Sequence, residues 1–501
     1  MPQPPEHEVD LVVVGAGSAG AAAAIAAHDA GLDVCLLEKA GSAGGNSRYS
    51  AGNLLELTGP DALAHLVALC FGRTPERVLT AYLEHLAPLR GRLEALGART
   101  RTTGPGPGGV ANCWPNLPGS DGVRFYTVEG PEGPGPALWR VLASALDARG
   151  VHPVPDARVT ALVRDGGRVV GVRARVGGIE RVVAARAGVV LATGGFQGDP
   201  ALCETYLPVG AAVGVSHPED TGDGLRLAQE AGAALWHMSN SFGFWSHRAP
   251  GQPVAYPIMP THPAHLIVDG GGHRLLAETG RETHDRLRLH GDFRPDRPNV
   301  PRLPLYLVFG GDLLRSGPLS PTRSPNPHPW STDNGAELAA GWIRRADDLA
   351  DLAAQLDLPA GTLAATVRAY DGYAARGADP EFARPAASMR PLGAGPYHAV
   401  PVEPGLATTA GGPRRDERAR VLDHDGAAVP GLYAIGDNGS IWGHLIQHGC
   451  ALTDGLVFGP VAVADAVASQ VPSTRTGAPS NQDTTSATAS PWKTDITSAV
   501  T

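Results

Sequence analysis

Gly15, Gly17 and Gly20 stand in the spacing G-x-G-x-x-G, directly behind the apolar run Leu11 to Val14. At such a spacing the first glycine permits a tight turn and the second lets backbone approach a pyrophosphate. The third lets the following helix pack closely on the strand. Free N–H groups at the start of that helix, together with its macrodipole, make an anion site. Glu38 closes a second short apolar run, Val34 to Leu37, where its carboxylate can accept hydrogen bonds from a ribose. Glycine triplets arise by chance in alanine- and glycine-rich chains, but strand, triplet, helix, strand and acid in one unit point to a dinucleotide. The unit alone does not separate NAD from FAD. Candidates for proton transfer are His247, His444 and His448, since histidine is the ordinary acid or base near neutral pH. Most histidines in a chain of this size are structural.

These residues need elements to hold them. Leu11 to Val14 reads as a strand buried on both faces, and the alanine-rich stretch after it runs without a breaker to Gly31, as a parallel sheet requires. Asp61 to Leu96 reads as helical with Gly97 as the stop, and Thr103 to Gly109 as loop. Trp114, Phe125 and Tyr126 lie among turn residues, and packing is the expected role for them, ahead of roofing a substrate. Pro136 to Arg149 is a helix closed by Gly150. Arg158 to Ala185 alternates short strands with glycine turns, the signature of a meander. Val189 to Ala192 is another buried strand, ending in Thr193, Gly194 and Gly195. Thr221-Gly222-Asp223-Gly224 opens a helix that Thr221 or Asp223 could cap.

From about Leu235 aromatic, histidine and proline residues crowd the chain, and the glycine punctuation disappears. Leu266 to Val268 and His273 to Leu276 read as a hairpin, and 347–356 and 362–375 as amphipathic helices. Nucleotide-binding character returns with Thr408 to Gly412, a turn at Asp423 to Gly426, and the run Pro430 to Asp437. Ala451 to Ala468 looks like a closing helix that Pro460 should kink. Beyond Gln470 the chain is polar and rich in serine and threonine, the composition of a disordered tail.

The chain has 501 residues and a formal net charge of −9, which argues against nucleic-acid binding and against attraction to anionic membranes. The length suggests two domains with additions. Five cysteines are scattered without C-x-x-C or metal-ligand spacing, so a reducing compartment and no metal site are expected. The start, MPQPPEHEVD, shows no secretory pattern. No uninterrupted apolar stretch reads as long enough to span a bilayer, so no membrane partner is expected and the cytoplasm is the expected location.

The segment GGNSRYSAG, with Gly44, Gly45, Asn46, Ser47, Ser50, Ala51 and Gly52, resembles an FAD contact of the fumarate reductase and succinate dehydrogenase flavoproteins. LATGGF, TGDG and YAIGD match further signatures of the same family. The resemblance runs from Asp10 to about Val467 and is nearest to soluble members such as tricarballylate and ketosteroid dehydrogenases. It implies an α/β fold: a Rossmann-like FAD-binding domain of parallel sheet, helices and β-meander, with an inserted α+β cap domain. The corresponding division is 1–234 and 395–470 for the FAD-binding domain, 235–394 for the cap, and 471–501 for the tail.

Carried over by position, the implied cofactor contacts include Ala16, Ser18, Ala19 and Lys39 beside the glycines and Glu38. Val159, Ala192, Thr193, Gly194, Thr221 and Asp223 follow, then Gly436, Asp437 and Leu452 at the closing end. Relatives with a covalent flavin carry a histidine near the GGNS position; Asn46 and Ser47 stand here, which implies noncovalent FAD. The family delivers a proton from an arginine after a G-[RK]-R-F-x-N-E stretch. Gly272 to Glu278 corresponds to it, with Leu275 and Ala277 replacing the aromatic and the asparagine, and Arg281 is the nearest following arginine. His247, His444 and His448 fall near positions where relatives place substrate residues. The family's two carboxylate-clamping positions fall on Ile446 and Thr408. The resemblance therefore implies a small-molecule substrate larger and less anionic than fumarate, reached past Trp236 to Trp245 and Trp442. Hydride transfer at a C–C or C=C bond beside a carbonyl or carboxyl group is the expected chemistry. A lyase, isomerase or non-redox role for the flavin is the alternative. No C-x-x-C-H or cysteine cluster suggests a haem or iron–sulfur centre, so electrons are expected from, or to, an external donor or acceptor.

Overall fold

β1 (His7–Val14) is the centre of a parallel sheet, with β2 (Val34–Leu37) on one side and the long strand Ile179–Leu191 on the other. Ala428–Ala434 adds a further parallel strand beyond Val189 to Leu191, and Arg420–Leu422 forms the antiparallel edge. In the computed structural model, residues 7–104, 112–207, 212–278 and 304–469 are described. The meander is Ala157–Asp165, Arg168–Val176 and the first half of Ile179–Leu191, paired antiparallel. Where two strands were expected, around 180–185 and 189–192, one strand runs through. Gly188 makes this possible, because any Cβ there would lie 2.5 Å from the Gly431 carbonyl oxygen.

α1 (Ser18–Asp29) crosses behind this sheet and packs against the closing helix, Cys450–Ala468. Small residues set their separation: a Cβ on Gly455 would meet the Ala19 Cβ at 2.5 Å, and one on Gly459 the Ala23 nitrogen at 2.9 Å. The closing helix runs as one element through Pro460. Proline removes the N–H that would have satisfied the Leu456 carbonyl, and Arg92 Nη2 donates to that oxygen at 3.2 Å instead. By length and composition this helix is apolar enough to cross a membrane, contrary to the sequence expectation, yet 72% of its apolar window is buried inside the protein.

The expected helix from Asp61 to Leu96 is three helices, Ala62–Cys70, Glu76–Leu86 and Leu89–Ala95. Phe71 and Gly72 take positive φ angles of 54° and 65°, and Pro75 and Pro88 stand before the second and third helices. Val123–Val128, expected as loop, is a strand between Asn53–Leu57 and Thr100–Thr103. It buries Phe125 and Tyr126 in the main core, so both aromatics are packed.

The inserted segment builds a second sheet on the long strand Tyr397–Thr409. Leu305–Gly310 pairs with the first half of that strand and Ser241–His247 with the second, so this sheet extends past residue 394. His265–Val268 pairs with Leu305–Gly310; the expected hairpin with His273 to Leu276 is reduced to a single bridge, Val268 to Arg274. Leu349–Leu356 and Ala360–Arg376 cover one face of the sheet, the first capped by Asp348, which accepts from the Ala350 and Asp351 N–H groups. Arg274, Glu278, Asp379 and Arg384 form a buried ion network in this part of the chain. The expected tail, 471–501, lies outside the described residues.

Candidate active site

A cavity of about 390 Å³ runs from the glycine turn of β1–α1 to the start of the closing helix and on to the inserted sheet. At its first end the glycine turn is held by contacts that admit no side chain. Gly15, at φ 98°, would place a Cβ 2.5 Å from the Ala192 carbonyl oxygen, and Gly20 would place one 1.8 Å from that of Gly15. Gly17 differs: nothing but Ser47 Oγ, at 3.6 Å, approaches its Cβ direction, leaving room for a ligand beside backbone. Ser47 Oγ accepts from the Ser18 N–H, and Glu38 accepts from the N–H groups of Ala16 and Ala40. Glu38 thus positions the turn and keeps lone pairs for a ligand hydroxyl. Lys39 Nζ donates to Thr221 Oγ1 at 2.7 Å and Asp223 Oδ2 at 3.0 Å. Those side chains tie the TGDG segment to β2 and do not cap the helix Asp223–Glu230, whose cap is Gly222.

The middle of the cavity is carried on the turn after Ala428–Ala434. Gly436 and Asp437 line it, opposite Ala192, Thr193 and Gly194. Arg415 and Asp454, both fully buried, brace that turn from behind. Asp454 takes Arg415 Nη2 on both oxygens at 2.6 Å and accepts from Gly436 and Ile441 N–H groups. At the far end Gly449 to Leu452 present the N-terminus of the closing helix to the cavity, a fixed positive dipole end.

Most of the expected contacts therefore meet in one place. Besides those already placed, Ala19, Gly45, Asn46, Ser50, Ala51 and Gly52 line the cavity, as do Val159 and Leu452. Ala16, Gly20, Gly44 and Thr221 stand behind the wall. The candidate acid–base residues separate. His448 lines the cavity beside the helix N-terminus, its N–H directed to Gln447 Oε1 at 3.3 Å. His444 packs against Phe71 with the rings tilted by 50°, 4.5 Å between ring centroids, away from the cavity. His247 is buried against Trp330 and Trp342, with Nδ1 3.0 Å from the Pro401 carbonyl oxygen. Arg281 lies outside the described residues. Trp236, Trp245 and Trp442, expected along the substrate route, are packed in the cores. Strand alternation explains the exchange: on Ser241–His247, Phe242 and Phe244 face the cavity, and Trp245 and His247 the other side. Sequence reasoning missed Asp220, which directly precedes the TGDG segment, and Arg323, which no local pattern marks.

The family described as FAD binding domain matches residues 10–451, nearly the whole of this architecture. The chain belongs to this family. It is similar to a 4-oxocyclohexanecarboxylate 2-dehydrogenase of Sinomonas cyclohexanicum, 30% identical over 86% of this chain and 88% of that protein. A 3-oxosteroid 1-dehydrogenase of Mycolicibacterium smegmatis is 26% identical over 92% of this chain and 98% of its own. A flavocytochrome c3 fumarate reductase structure superposes with a TM-score of 0.72 at 26% identity, covering 93% of this chain and 79% of that one. The 3-ketosteroid delta1-dehydrogenase of Sterolibacterium denitrificans shares the fold, with a TM-score of 0.78 at 24% identity over 92% and 100%. Like these relatives, the chain is an FAD-dependent oxidoreductase for C–C or C=C bonds.

The cavity fits FAD on its own evidence. Gly17 leaves a cradle for the pyrophosphate, and Thr193 Oγ1 is buried with no partner among the described residues. Two carboxyls, the buried Asp220 and the half-buried Asp437, also line it and can accept from cofactor hydroxyls. Burial pushes Asp437 from 3.8 up to about 7, against a hydrogen bond from Thr408 Oγ1 that lowers it. Burial also pushes Asp220 well up, and the charge of Asp437 adds to this. An acid that holds its proton more tightly folded than unfolded favours the fold at low pH, and that contribution is lost as pH rises through the folded value. Stability of the FAD-free protein is accordingly expected to fall between about pH 4 and about pH 7. Asp437→Asn should flatten that fall, with Asp220 retaining its own share; denaturation midpoints across this range check it.

Proposed function

We propose that this enzyme dehydrogenates or reduces a carbon–carbon bond next to a carbonyl on a cyclic substrate, with FAD held noncovalently. The observation that carries the reading is the cavity itself, which leads from the nucleotide turn to an apolar chamber faced by Phe242, Phe244 and His448. When bound, FAD supplies the hydride acceptor or donor. His448 gives or takes the proton on the adjacent carbon. Phe242 and Phe244 exclude water from the chamber, and the closing-helix N-terminus stabilises negative charge that develops near it. Ile446 and Thr408, at the positions of the family's carboxylate clamps, line the same cavity. Neither can form a charge-assisted bond to a carboxylate, a bond roughly twice as strong as a neutral one. That favours a substrate larger and less anionic than fumarate, in keeping with the oxo-ring names of two relatives. FAD lies between the first and last parts of the chain in this reading, with the inserted segment as cap. Electrons enter or leave through an external partner or oxygen, and the scattered cysteines favour the cytoplasm.

The purified protein is expected to be yellow and to release intact FAD on acid or heat denaturation; flavin left on the chain would overturn noncovalent binding. Anaerobic mixing with cyclic ketones should bleach the flavin, or cyclic enones should reoxidise it once reduced, faster than fumarate does. Conversion of a ketone with no change in oxidation state would place the enzyme among isomerases, and efficient fumarate turnover would overturn the substrate reading.

A further inference from the structure

Among the described residues, the cavity wall holds one cation without a counter-charge. Among the described lining residues the side chains of fixed positive charge are Lys39 and Arg323. Lys39 is spent on Asp223, 3.0 Å away at the nucleotide end. Arg323 donates from Nη1 to the Glu132 carbonyl at 2.9 Å and from Nη2 to that of Ser50 at 3.1 Å. Both partners are neutral. Among the described residues no carboxylate offsets its charge, and partial desolvation pulls its pKa down. Apolar side chains lining the same cavity include Phe242, Phe244, Pro257, Met259, Pro321 and Pro325.

Arg323 stays solvent-exposed, so an anion pairing with it gains a charge-assisted hydrogen bond and does not relieve a buried charge. The guanidinium has five N–H donors in a planar fork, so the two carbonyl bonds leave enough to grip both oxygens of a carboxylate. The two carbonyls also hold it against the nucleotide-binding part, since Ser50 itself lines the cavity. We propose that Arg323 anchors a single carboxylate of the substrate, which makes that substrate an apolar ring ketone or enone bearing one acidic group. With no second unpaired fixed cation among the described lining residues, a dianion such as fumarate leaves one charge unanswered. This inference rests on the proposed reaction and names the substrate class for it.

The test uses the FAD-loaded full chain and three probes of one shape: a cyclohexanone carboxylate, its carboxamide and its methyl ester. Binding is followed by the change in flavin absorbance. Wild type should bind the carboxylate about tenfold or more tighter than the neutral probes. In Arg323→Gln that ratio should fall to about one, and in Arg323→Lys, which keeps charge but loses the fork, it should lie between. Retained FAD and an unchanged melting temperature show that a variant has folded, and Arg323→Lys carries the comparison where Arg323→Gln does not fold. No carboxylate preference in wild type, including failure of all three to bind, overturns the anchor. So does a preference that survives in Arg323→Gln. A shifted flavin reduction potential in that variant, with the preference unchanged, assigns the guanidinium to the cofactor and likewise overturns it. Preference without flavin reduction or product would instead remove the oxidoreductase reading and leave the anchor standing.

Discussion

Asp454→Ala should cost the protein about 3–5 kcal/mol of stability, the usual penalty for stranding a buried charge, and most of its bound FAD. Arg415 and Asp454 have no exposed side-chain surface. Removing the carboxylate leaves the guanidinium against the Phe458 ring, 4.3 Å from its centroid, with no other ion-pair partner among the described residues. The loss spreads to the cofactor because the pair carries a turn. Asp454 accepts from the Gly436 and Ile441 N–H groups, and Arg415 donates to the Ala434 and Gly439 carbonyls. Gly436 and Asp437 sit between those supports. Denaturant unfolding, with FAD content measured on the same preparation, checks both parts. An apolar pair, Arg415→Met with Asp454→Leu, should recover part of the stability but less of the FAD, because the turn's N–H groups stay unsatisfied. A loss below about 1 kcal/mol in Asp454→Ala would show that this pair is not what holds the turn.

His448→Ala should lower turnover by about 10²–10⁴-fold, the range lost with a general acid or base, while FAD stays bound. The residue sits one position before Gly449, the cap of the closing helix, with its ring edge-on to Phe125 at 6.1 Å. Its backbone is held by Gln447, whose side chain also takes the Cys113 N–H at 2.9 Å and donates to Asn112 at 2.7 Å. Replacing the imidazole therefore removes a proton carrier without disturbing the frame. Steady-state rates against pH, beside the flavin spectrum of the variant, check it. A loss under about tenfold would move the proton to another group, Arg281 first.

Local physics made the nucleotide end readable. The glycines, the alanine-rich helix and Glu38 each meet a steric or hydrogen-bonding demand within one short unit, and the structure brings them together around the glycine turn. The meander and the closing helix were legible for the same reason: alternation and apolar runs persist over enough residues to define them. Where the reading failed, a distant partner had intervened. His273 to Leu276 loses its hairpin because Leu305–Gly310 offers His265–Val268 a longer ladder.

By itself, then, the sequence determined the β1–α1–β2 unit, the family of the fold and the dinucleotide end of the cavity, since neighbouring residues alone satisfy those requirements. Only the tertiary structure decided the substrate end. Three histidines of equal chemical promise were separated by the face each one occupies: His448 toward the cavity, His444 against Phe71, His247 into an aromatic core. Arg323 acquired meaning only when Ser50 and Glu132, far away in the chain, closed around it. A side chain's direction and its counter-charge are set by packing between remote segments, and no local pattern records them.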